Sequence, residues 1–298
     1  MRAVTDAQLA LFPPPFSCGI AATRPAIEEL VGRADLHVHS YWSDGAQSPQ
    51  ALVKRAAGRL HVLAITDHDE IRGALVARQF ARARPELGVD VVIGEEISTR
   101  NGHLLGLFLE ERIPPGLTAL ATIERIHAQG GLAVVAHPCH PMNVRDRGAR
   151  CLTHLIGDLP LDGIEAVNNA GFFSWLYDAI AALRNLEWAL PVTGGSDAHD
   201  VWYVGSGLTR FEGRRPEDLR RALLAARTRA QVRWRWTADK MPRHVAIQMR
   251  SLVRFTALLA RREPQPRHWR VLGAIATTLS SRREALAPRM SAIRPETS

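Results

Sequence analysis

Short apolar segments alternate with segments of helical periodicity from about residue 33 to about residue 211. The apolar segments have the length of buried strands, and the segments between them repeat their hydrophobic positions every three to four residues. In chain order they read ADLHVH, HVLAIT, VDVVIGEEI, HLLGLFL, LAVVAH, GIEAVN, LPVTGGS and GSGLTRF. This alternation predicts β/α units around a parallel sheet, and about seven or eight strands are enough to close a barrel.

Several of the predicted helices have recognisable ends. Ser48 and Pro49 supply an N-cap and a first-turn proline for the helix that begins there. Gly130 and Gly131 end the helix TALATIERIHAQ, and Pro216 begins the helix PEDLRRALLAARTR.

Three parts follow from these patterns. Residues 1–32 form a lead-in, because the three consecutive prolines at 13–15 fit neither a helix nor a central strand. Residues 33–228 form the barrel. Residues 229–298 form a helical extension that begins with an Arg- and Trp-rich stretch.

Charge divides the chain in the same way. The net charge is +8, but residues 1–209 hold 17 Lys and Arg against 23 Asp and Glu, and the rest holds 21 against 7. A basic appendage beside an acidic body can attract phosphates, nucleic acid or an anionic membrane. The WRW sequence at 234–236 fits base stacking, but we favour packing of its tryptophans on the barrel.

Cysteine usage and the N-terminus bear on the compartment. Cys18, Cys139 and Cys151 show no CxxC spacing, which is typical of free thiols in a reducing environment. The first residues lack the unbroken apolar core of a secretory signal, and no stretch approaches the roughly 18 apolar residues of a membrane span. We therefore expect a cytoplasmic protein without a transmembrane segment.

Metal-ligand residue types cluster at the ends of the apolar segments, in DLHVHS with SDG, TDHD, GEE, GHLLG, AHP and GSDAH. Residues at the carboxyl ends of barrel strands converge on one mouth, so ligands distant in sequence become neighbours. The candidate metal ligands are His37, His39, Asp44, His68, Glu96, His103, His137, Asp197 and His199.

Six histidines and three carboxylates offer about three donors to each of three ions and leave positions open for water and substrate. Without cations, bringing nine ionisable groups together is costly. Since no cysteine is among them, the set favours a catalytic site for two or three divalent ions, Mn, Zn or Fe, over a closed structural zinc site.

These motifs resemble the polymerase and histidinol phosphatase (PHP) superfamily over roughly residues 34–226, in particular its stand-alone bacterial members. The resemblance implies an α/β fold, a distorted (β/α)7-type barrel, here with a C-terminal basic helical appendage. It also implies three metal positions. The first would take His37, His39, Glu96 and Asp197, the second Glu96 as a bridge with His103 and His137, and the third Asp44, His68 and His199.

The implied activity is hydrolysis of phosphate esters by a hydroxide held between metal ions. Asp67, Glu96 and His199 are the residues predicted to take part in catalysis, with Asp67 orienting an imidazole or accepting a proton. Arg100 and Arg145 lie on predicted loops near ligand-bearing strand ends, where they are candidates for clamping the substrate phosphate.

Several interpretations stay open at this point. The preferred substrate is a small phosphorylated metabolite or nucleotide, and the main alternative is 5'-3' exonuclease activity on short RNA or DNA bound through the basic C-terminal region. A metal-containing regulatory or binding module without turnover, and a metallohydrolase of carboxylic or carbamate esters, are further alternatives. Among the other histidines, His140 follows His137 closely enough to reach the mouth, but a solvated loop position is the favoured interpretation for it.

Overall fold

The structure, a computed structural model, describes residues 30–140, 151–171, 174–234, 245–246 and 249. The predicted lead-in up to residue 29 lies outside the described residues, and so does Arg145. Of the predicted extension over 229–298, only residues 229–234, 245–246 and 249 are described.

One sheet forms the centre of this described part. Its strands are β1 (Gly32–Asp35), β2 (Val62–Ile65), β3 (Asp90–Ser98), β4 (His103–Leu107), β5 (Leu132–Val135), β6 (Gly163–Asn168), β7 (Val192–Gly195), β8 (Gly207–Phe211) and β9 (Arg229–Val232). Their order across the sheet is β7-β6-β5-β4-β3-β2-β1-β8-β9. All eight predicted apolar segments contain a strand, and β9 is an addition that the hydrophobic pattern did not indicate.

The sheet is mixed, whereas the pattern predicted parallel strands throughout. The β1/β2, β2/β3, β5/β6 and β6/β7 pairs are parallel, but β4 is antiparallel to both its neighbours, and β8 is antiparallel to β1 and β9. For β4 the reason is the connection: Ser98 pairs with His103 across a four-residue turn. A turn of that length joins antiparallel strands only, since a parallel pair needs a long crossover.

The edge strand β7 lies against β8 and β9 at the other end of the sheet, through side chains and close backbone contact. The Thr209 hydroxyl accepts a hydrogen bond from the Gly194 amide at 2.8 Å and donates to the Gly194 carbonyl at 3.0 Å. Gly207 lies so close to Gly195 that a β-carbon there would overlap the Gly195 carbonyl oxygen. The sheet is therefore nearly closed into a barrel, which confirms the predicted fold class.

We expect Gly207→Ala to destabilise the protein by about 3 kcal/mol, because the new methyl group must displace backbone at this seam. Urea unfolding followed by circular dichroism measures the loss. Gly157→Ala is the matched control, since a β-carbon at Gly157 meets only Trp188, at 3.7 Å. Equal unfolding midpoints for the two variants would show that the seam tolerates a side chain.

The helices are α1 (Pro49–Ala56), α2 (Arg72–Arg82), α3 (Ala119–Ala128), α4 (Leu152–Leu155), α5 (Ser174–Trp188) and α6 (Pro216–Leu224). The predicted helix ends are confirmed: Ser48 caps α1 by accepting a hydrogen bond from Ala51, and Gly130, with φ of 73°, follows α3. No helix in the described ranges is long and apolar enough to cross a bilayer.

Successive residues along the strands pack in two different apolar clusters. Val91 and Ile93 pack in the cluster that includes residues of α1, α2 and α3, whereas Val92 packs with Leu105 and Val134 in a second cluster. Successive strand residues face opposite sides of a sheet, so the second cluster fills the barrel interior. It also includes residues of α6, and this helix covers the barrel end at which β8 finishes.

Candidate metal centre

The nine predicted ligands meet at the opposite end of the barrel, with Glu96 at their centre. Glu96 Oε1 lies 2.7 Å from His103 Nδ1 and 3.0 Å from His137 Nε2. Both histidines therefore face the same carboxylate oxygen, and Glu96 itself is only 1 % exposed.

The other oxygen of Glu96 faces three further imidazoles. Oε2 lies 3.2 Å from Nε2 of His37, 3.2 Å from Nε2 of His39 and 3.3 Å from Nδ1 of His68. One carboxylate thus contacts five histidines, and its two oxygens divide them into two groups.

Asp197 and Asp44 complete the cluster on the side of His39. Asp197 Oδ1 lies 3.2 Å from His39 Nε2 and 3.6 Å from His199 Nδ1. Asp44 Oδ2 lies 2.8 Å from His199 Nε2 and 3.7 Å from His68 Nε2. The chain therefore supplies a continuous set of nitrogen and oxygen donors from Asp44 to His137.

Strand ends and strained turns place these donors. β1 ends at Asp35, so His37 and His39 lie in the extended segment after it, not within the predicted strand. His103 begins its strand instead of ending one, because β4 runs antiparallel to β3. His137 and Asp197 have φ of 25° and 50°, a conformation that is rare outside glycine and is retained where the surrounding structure enforces it.

The donor set fits metal ions. Five groups of three ligand atoms, each from a different residue, lie within 4.8 Å of one another. Both ring nitrogens of His39 are buried and make no hydrogen bond to any residue that the structure describes, although oxygens of Asp44, Glu96 and Asp197 lie 3.2 to 3.3 Å away. Ring nitrogens in such a position are suited to a cation shared with those carboxylates.

Electrostatics support the same conclusion. Burial lowers the pKa of His39, but the charges of Asp44, Asp197 and Glu96 outweigh it and raise that pKa to about 10. Burial raises the pKa of Glu96, yet the surrounding histidines hold it well below its usual range. Without cations the carboxylates would keep His39 protonated, whereas burial lowers the pKa of His68 to about 4. A metal ion can take the place of the proton on His39.

A second layer of polar residues orients the ligands, and sequence reasoning missed it. Glu165 Oε1 lies 3.1 Å from His37 Nδ1, and Glu165 Oε2 accepts the backbone N–H of His137 at 2.8 Å. The Asn168 amide donates to Glu165 at 2.9 Å and to Asp197 at 3.2 Å. The signal in the sequence was a carboxylate and an asparagine in the otherwise apolar strand GIEAVN.

Asp67, a predicted catalytic residue, is fully buried and does not line the pocket described below. Its carboxylate accepts hydrogen bonds from Ser40 N at 2.6 Å, Ser40 Oγ at 2.7 Å and Ser43 Oγ at 2.7 Å. Burial raises its pKa. These contacts hold the turn that carries Asp44.

A pocket of about 470 Å³ opens from the metal-ligand cluster. Its inner wall includes Glu96, Asp197 and His199, two of which are also predicted catalytic residues. Its outer wall is formed by α5 and by the loop after β5, where the rings of His140 and Tyr177 meet edge to face at 5.2 Å. His140 therefore lines the mouth, in contrast to the solvated loop position that the sequence favoured.

The two arginines predicted to bind the substrate phosphate are not found among the described residues that line this pocket. Arg100 is exposed, donates from Nε to the Gly116 carbonyl at 2.8 Å and is not part of the pocket lining. Arg145 lies in the undescribed segment that follows His140. Among the described residues, the pocket lining contains no lysine or arginine.

We expect Glu165→Gln to weaken metal binding about 10- to 100-fold, because a carboxylate that orients a ligand imidazole contributes roughly that much. Titration with Zn²⁺ against a competing chelator measures the change. Asp162→Asn is the matched control, since Asp162 lies at the other end of β6 and contacts the exposed His127 at 2.7 Å. Unchanged affinity in Glu165→Gln would remove Glu165 from the site.

Comparison with known proteins places this geometry in context. The family profile described as PHP domain matches residues 35–136, and the profile described as PHP-associated matches residues 181–228. An uncharacterised protein of Methanocaldococcus jannaschii is 40% identical over 148 residues, which cover 46% of this chain and 81% of that protein.

Two relatives with named activities match shorter regions. A phosphoribosyl 1,2-cyclic phosphate 1,2-diphosphodiesterase of Eggerthella lenta is 43% identical over 103 residues, 32% of this chain and 38% of that enzyme. A 5'-3' exoribonuclease of Haemophilus influenzae is 44% identical over 96 residues, 30% of this chain and 34% of that enzyme. The chain spans little more than a third of either enzyme.

A solved structure shares the fold. It is a two-domain protein from Bacteroides vulgatus described as containing a predicted PHP-like metal-dependent phosphoesterase, with a TM-score of 0.56 and 22% identity. The alignment covers 67% of this chain and 64% of that one. The matched profiles and the mouth of histidines and carboxylates show together that this chain belongs to the PHP family.

Proposed function

We propose that this protein hydrolyses phosphate esters of small phosphorylated metabolites or nucleotides, with two or three divalent ions at the barrel mouth. The observation that carries the proposal is Glu96, whose two oxygens face five imidazoles at 2.7 to 3.3 Å. A shared carboxylate of this kind is suited to bridging adjacent cations.

The contacts support a division of the ligands among the ions, Zn, Mn or Fe. His37, His39 and Asp197 would hold one ion, His103 and His137 a second, and Asp44, His68 and His199 a third, with Glu96 available to the first two. Bound ions would activate a water molecule near neutral pH and neutralise the phosphoryl oxygens during transfer.

The chain's own residues fix the protonation and direction of the ligands. His199 Nδ1 lies 2.9 Å from the Asp197 carbonyl oxygen, and donation to it leaves Nε2 with its lone pair toward the mouth. Asn168 holds Asp197 and Glu165 at fixed positions through one amide group. Asp67 acts as a positioning residue, because its bonds go to the serines next to Asp44.

The pocket suits a small substrate. A volume of about 470 Å³ is in the range of small-molecule sites. Tyr177 and His140 form a flat-sided wall beside the cluster, on which the leaving group of an ester, such as a nucleoside, can rest. Arg145 stays a candidate for contacting the substrate phosphate, whereas Arg100 would have to give up its bond to Gly116.

A 5'-3' exonuclease is the second candidate. It is supported by the relative named as an exoribonuclease and by the excess of positive charge from residue 210 onward. A protein that binds metal without turnover, and a hydrolase of carboxylic or carbamate esters, are the remaining alternatives.

A substrate panel separates these activities. Protein loaded with Mn²⁺ or Zn²⁺ is assayed on an aryl phosphate, nucleoside monophosphates, a labelled oligoribonucleotide and an aryl ester, beside Asp197→Ala. We expect phosphate-ester hydrolysis that Asp197→Ala abolishes. Deleting residues 235–298, after β9, should spare small substrates, and selective loss of oligonucleotide cleavage would favour the exonuclease. Absence of all turnover in metal-loaded protein would refute the proposal.

A further inference from the structure

Three arginines lie directly opposite one another on three adjacent strands. Arg33 of β1 pairs with Arg210 of β8, and Arg210 pairs with Arg229 of β9. Directly opposite residues of antiparallel strands project to the same face of a sheet, with β-carbons about 4.5–5.5 Å apart. We call Arg33, Arg210 and Arg229 the arginine row.

The arginine row faces outward and lies far along the strands from the metal mouth. Arg210 shares its face of β8 with Leu208, which packs in the outer cluster, whereas Phe211 packs in the barrel interior. Arg33 lies at the start of β1, while the metal ligands follow the end of that strand. The arginine row is therefore separate from the candidate metal centre.

The positive charge of the arginine row is unmatched within the described ranges. None of its three guanidinium groups forms an ion pair with a described carboxylate, and Arg33 Nε donates to the carbonyl of Arg59. Arg210 Nε is buried and makes no hydrogen bond to the residues described. Burial, followed by the charge of Arg33, lowers the pKa of Arg210.

Like charges directly opposite on a sheet are destabilising, and a buried donor without an acceptor adds to the cost. A bound anion would offset the repulsion between these charges. A place for one exists, because a groove of about 450 Å³ is lined by Arg210 and Arg229 together with Ala166 and Val192. Arg227 also lines it and pairs with Glu212 at 3.3 Å.

We propose that the arginine row binds a phosphate group in this groove, at a site distinct from the metal centre. Guanidinium groups match phosphate oxygens with paired N–H donors, so Arg210 would offer its two terminal nitrogens to one phosphate. Arg229 lines the same groove, and Arg33, opposite Arg210 on β1, adds charge from the next strand. The phosphate can belong to a free phosphate ion or to a nucleic-acid backbone, which share this chemistry.

Equilibrium dialysis with labelled inorganic phosphate tests the site. Because phosphate also binds metal ions, a background of protein stripped of metal by chelation and dialysis isolates the arginine row. In that background we expect one bound phosphate, and about tenfold weaker binding after Arg210→Gln or Arg229→Gln. Arg125→Gln, an exposed arginine on α3, makes the same charge change elsewhere and should leave phosphate binding intact.

Two further measurements distinguish a nucleic-acid phosphate from a free phosphate ion, and a failure of this site from a failure at the metal centre. Fluorescence anisotropy with a 2'-O-methyl oligoribonucleotide shows a salt-dependent loss of affinity in Arg210→Gln if the phosphate belongs to a nucleic-acid backbone, and no such loss if it is a free ion. Aryl-phosphate turnover of Arg210→Gln in the metal-loaded protein should equal that of the wild type. Phosphate binding that survives Arg210→Gln and Arg229→Gln alike overturns the proposal, whatever the activity at the metal centre.

Discussion

Glu96→Gln is expected to lower kcat/KM for phosphate-ester hydrolysis about a thousandfold, equivalent to about 4 kcal/mol. The substitution keeps the shape of the side chain but removes the charge that five imidazoles share, so the cluster loses the carboxylate best placed to join adjacent ions. Steady-state kinetics and elemental analysis of the purified variant measure both losses.

The neighbouring residue provides the control. Glu95 is buried, accepts a hydrogen bond from Ile113 N at 2.8 Å and points to the other side of the strand from Glu96. Burial raises the pKa of Glu95 well above its usual value, and Glu95→Gln makes the same change of side chain one position away from Glu96. We expect Glu95→Gln to retain metal and activity. Full activity in Glu96→Gln would contradict the proposed centre.

Removing the metal ions is expected to abolish turnover and to lower the melting temperature on the order of 10 °C, since ions that bind only the folded chain stabilise it. Chelation followed by dialysis, then addition of Zn²⁺, Mn²⁺ or Fe²⁺, measures loss and recovery. Persistent turnover in protein shown by elemental analysis to be free of metal would refute the mechanism.

The metal-free protein should also show a characteristic pH dependence. The pKa of His39 is raised from 6.5 to about 10, so its contribution to stability is complete below pH 6.5 and is lost as the pH rises toward 10. Metal binding requires deprotonated imidazoles and therefore improves over the same range. We expect the rise in melting temperature caused by Zn²⁺ to be larger at pH 8.5 than at pH 6. A constant rise would mean that ions do not replace these protons.

The sequence predicted the strands and the meeting of the ligands because both depend on local patterns. Apolar segments predicted eight of the nine strands in the described part of the chain. Polar residues at the ends of those segments predicted the nine ligand candidates that the structure brings together. β9 was missed because RAQV is polar and at most half-buried, so its pairing with β8 depends on contacts distant in sequence.

Residues that act through others were harder to predict. Glu165 and Asn168 look like ordinary polar residues until β6 is placed beside β5 and β7, where they face His37 and Asp197. Arg100 shows the converse. Its position next to a ligand-bearing strand indicated a role at the mouth, but its side chain turns to the Gly116 carbonyl instead. Side-chain direction in a loop is set by tertiary contacts that spacing does not encode.

The late position of Asp197 along the chain has a consequence for biosynthesis. The cluster unites the segment after β1 with the segment after β7, and nearly the whole barrel sequence separates them. A nascent chain that has not yet extended past His199 lacks the residues that close the cluster, and any ion it captures is held by fewer donors. Tight binding of the ions and completion of the barrel should therefore coincide. Whether the protein binds the correct ion or a competing cation is then determined in the last stage of folding.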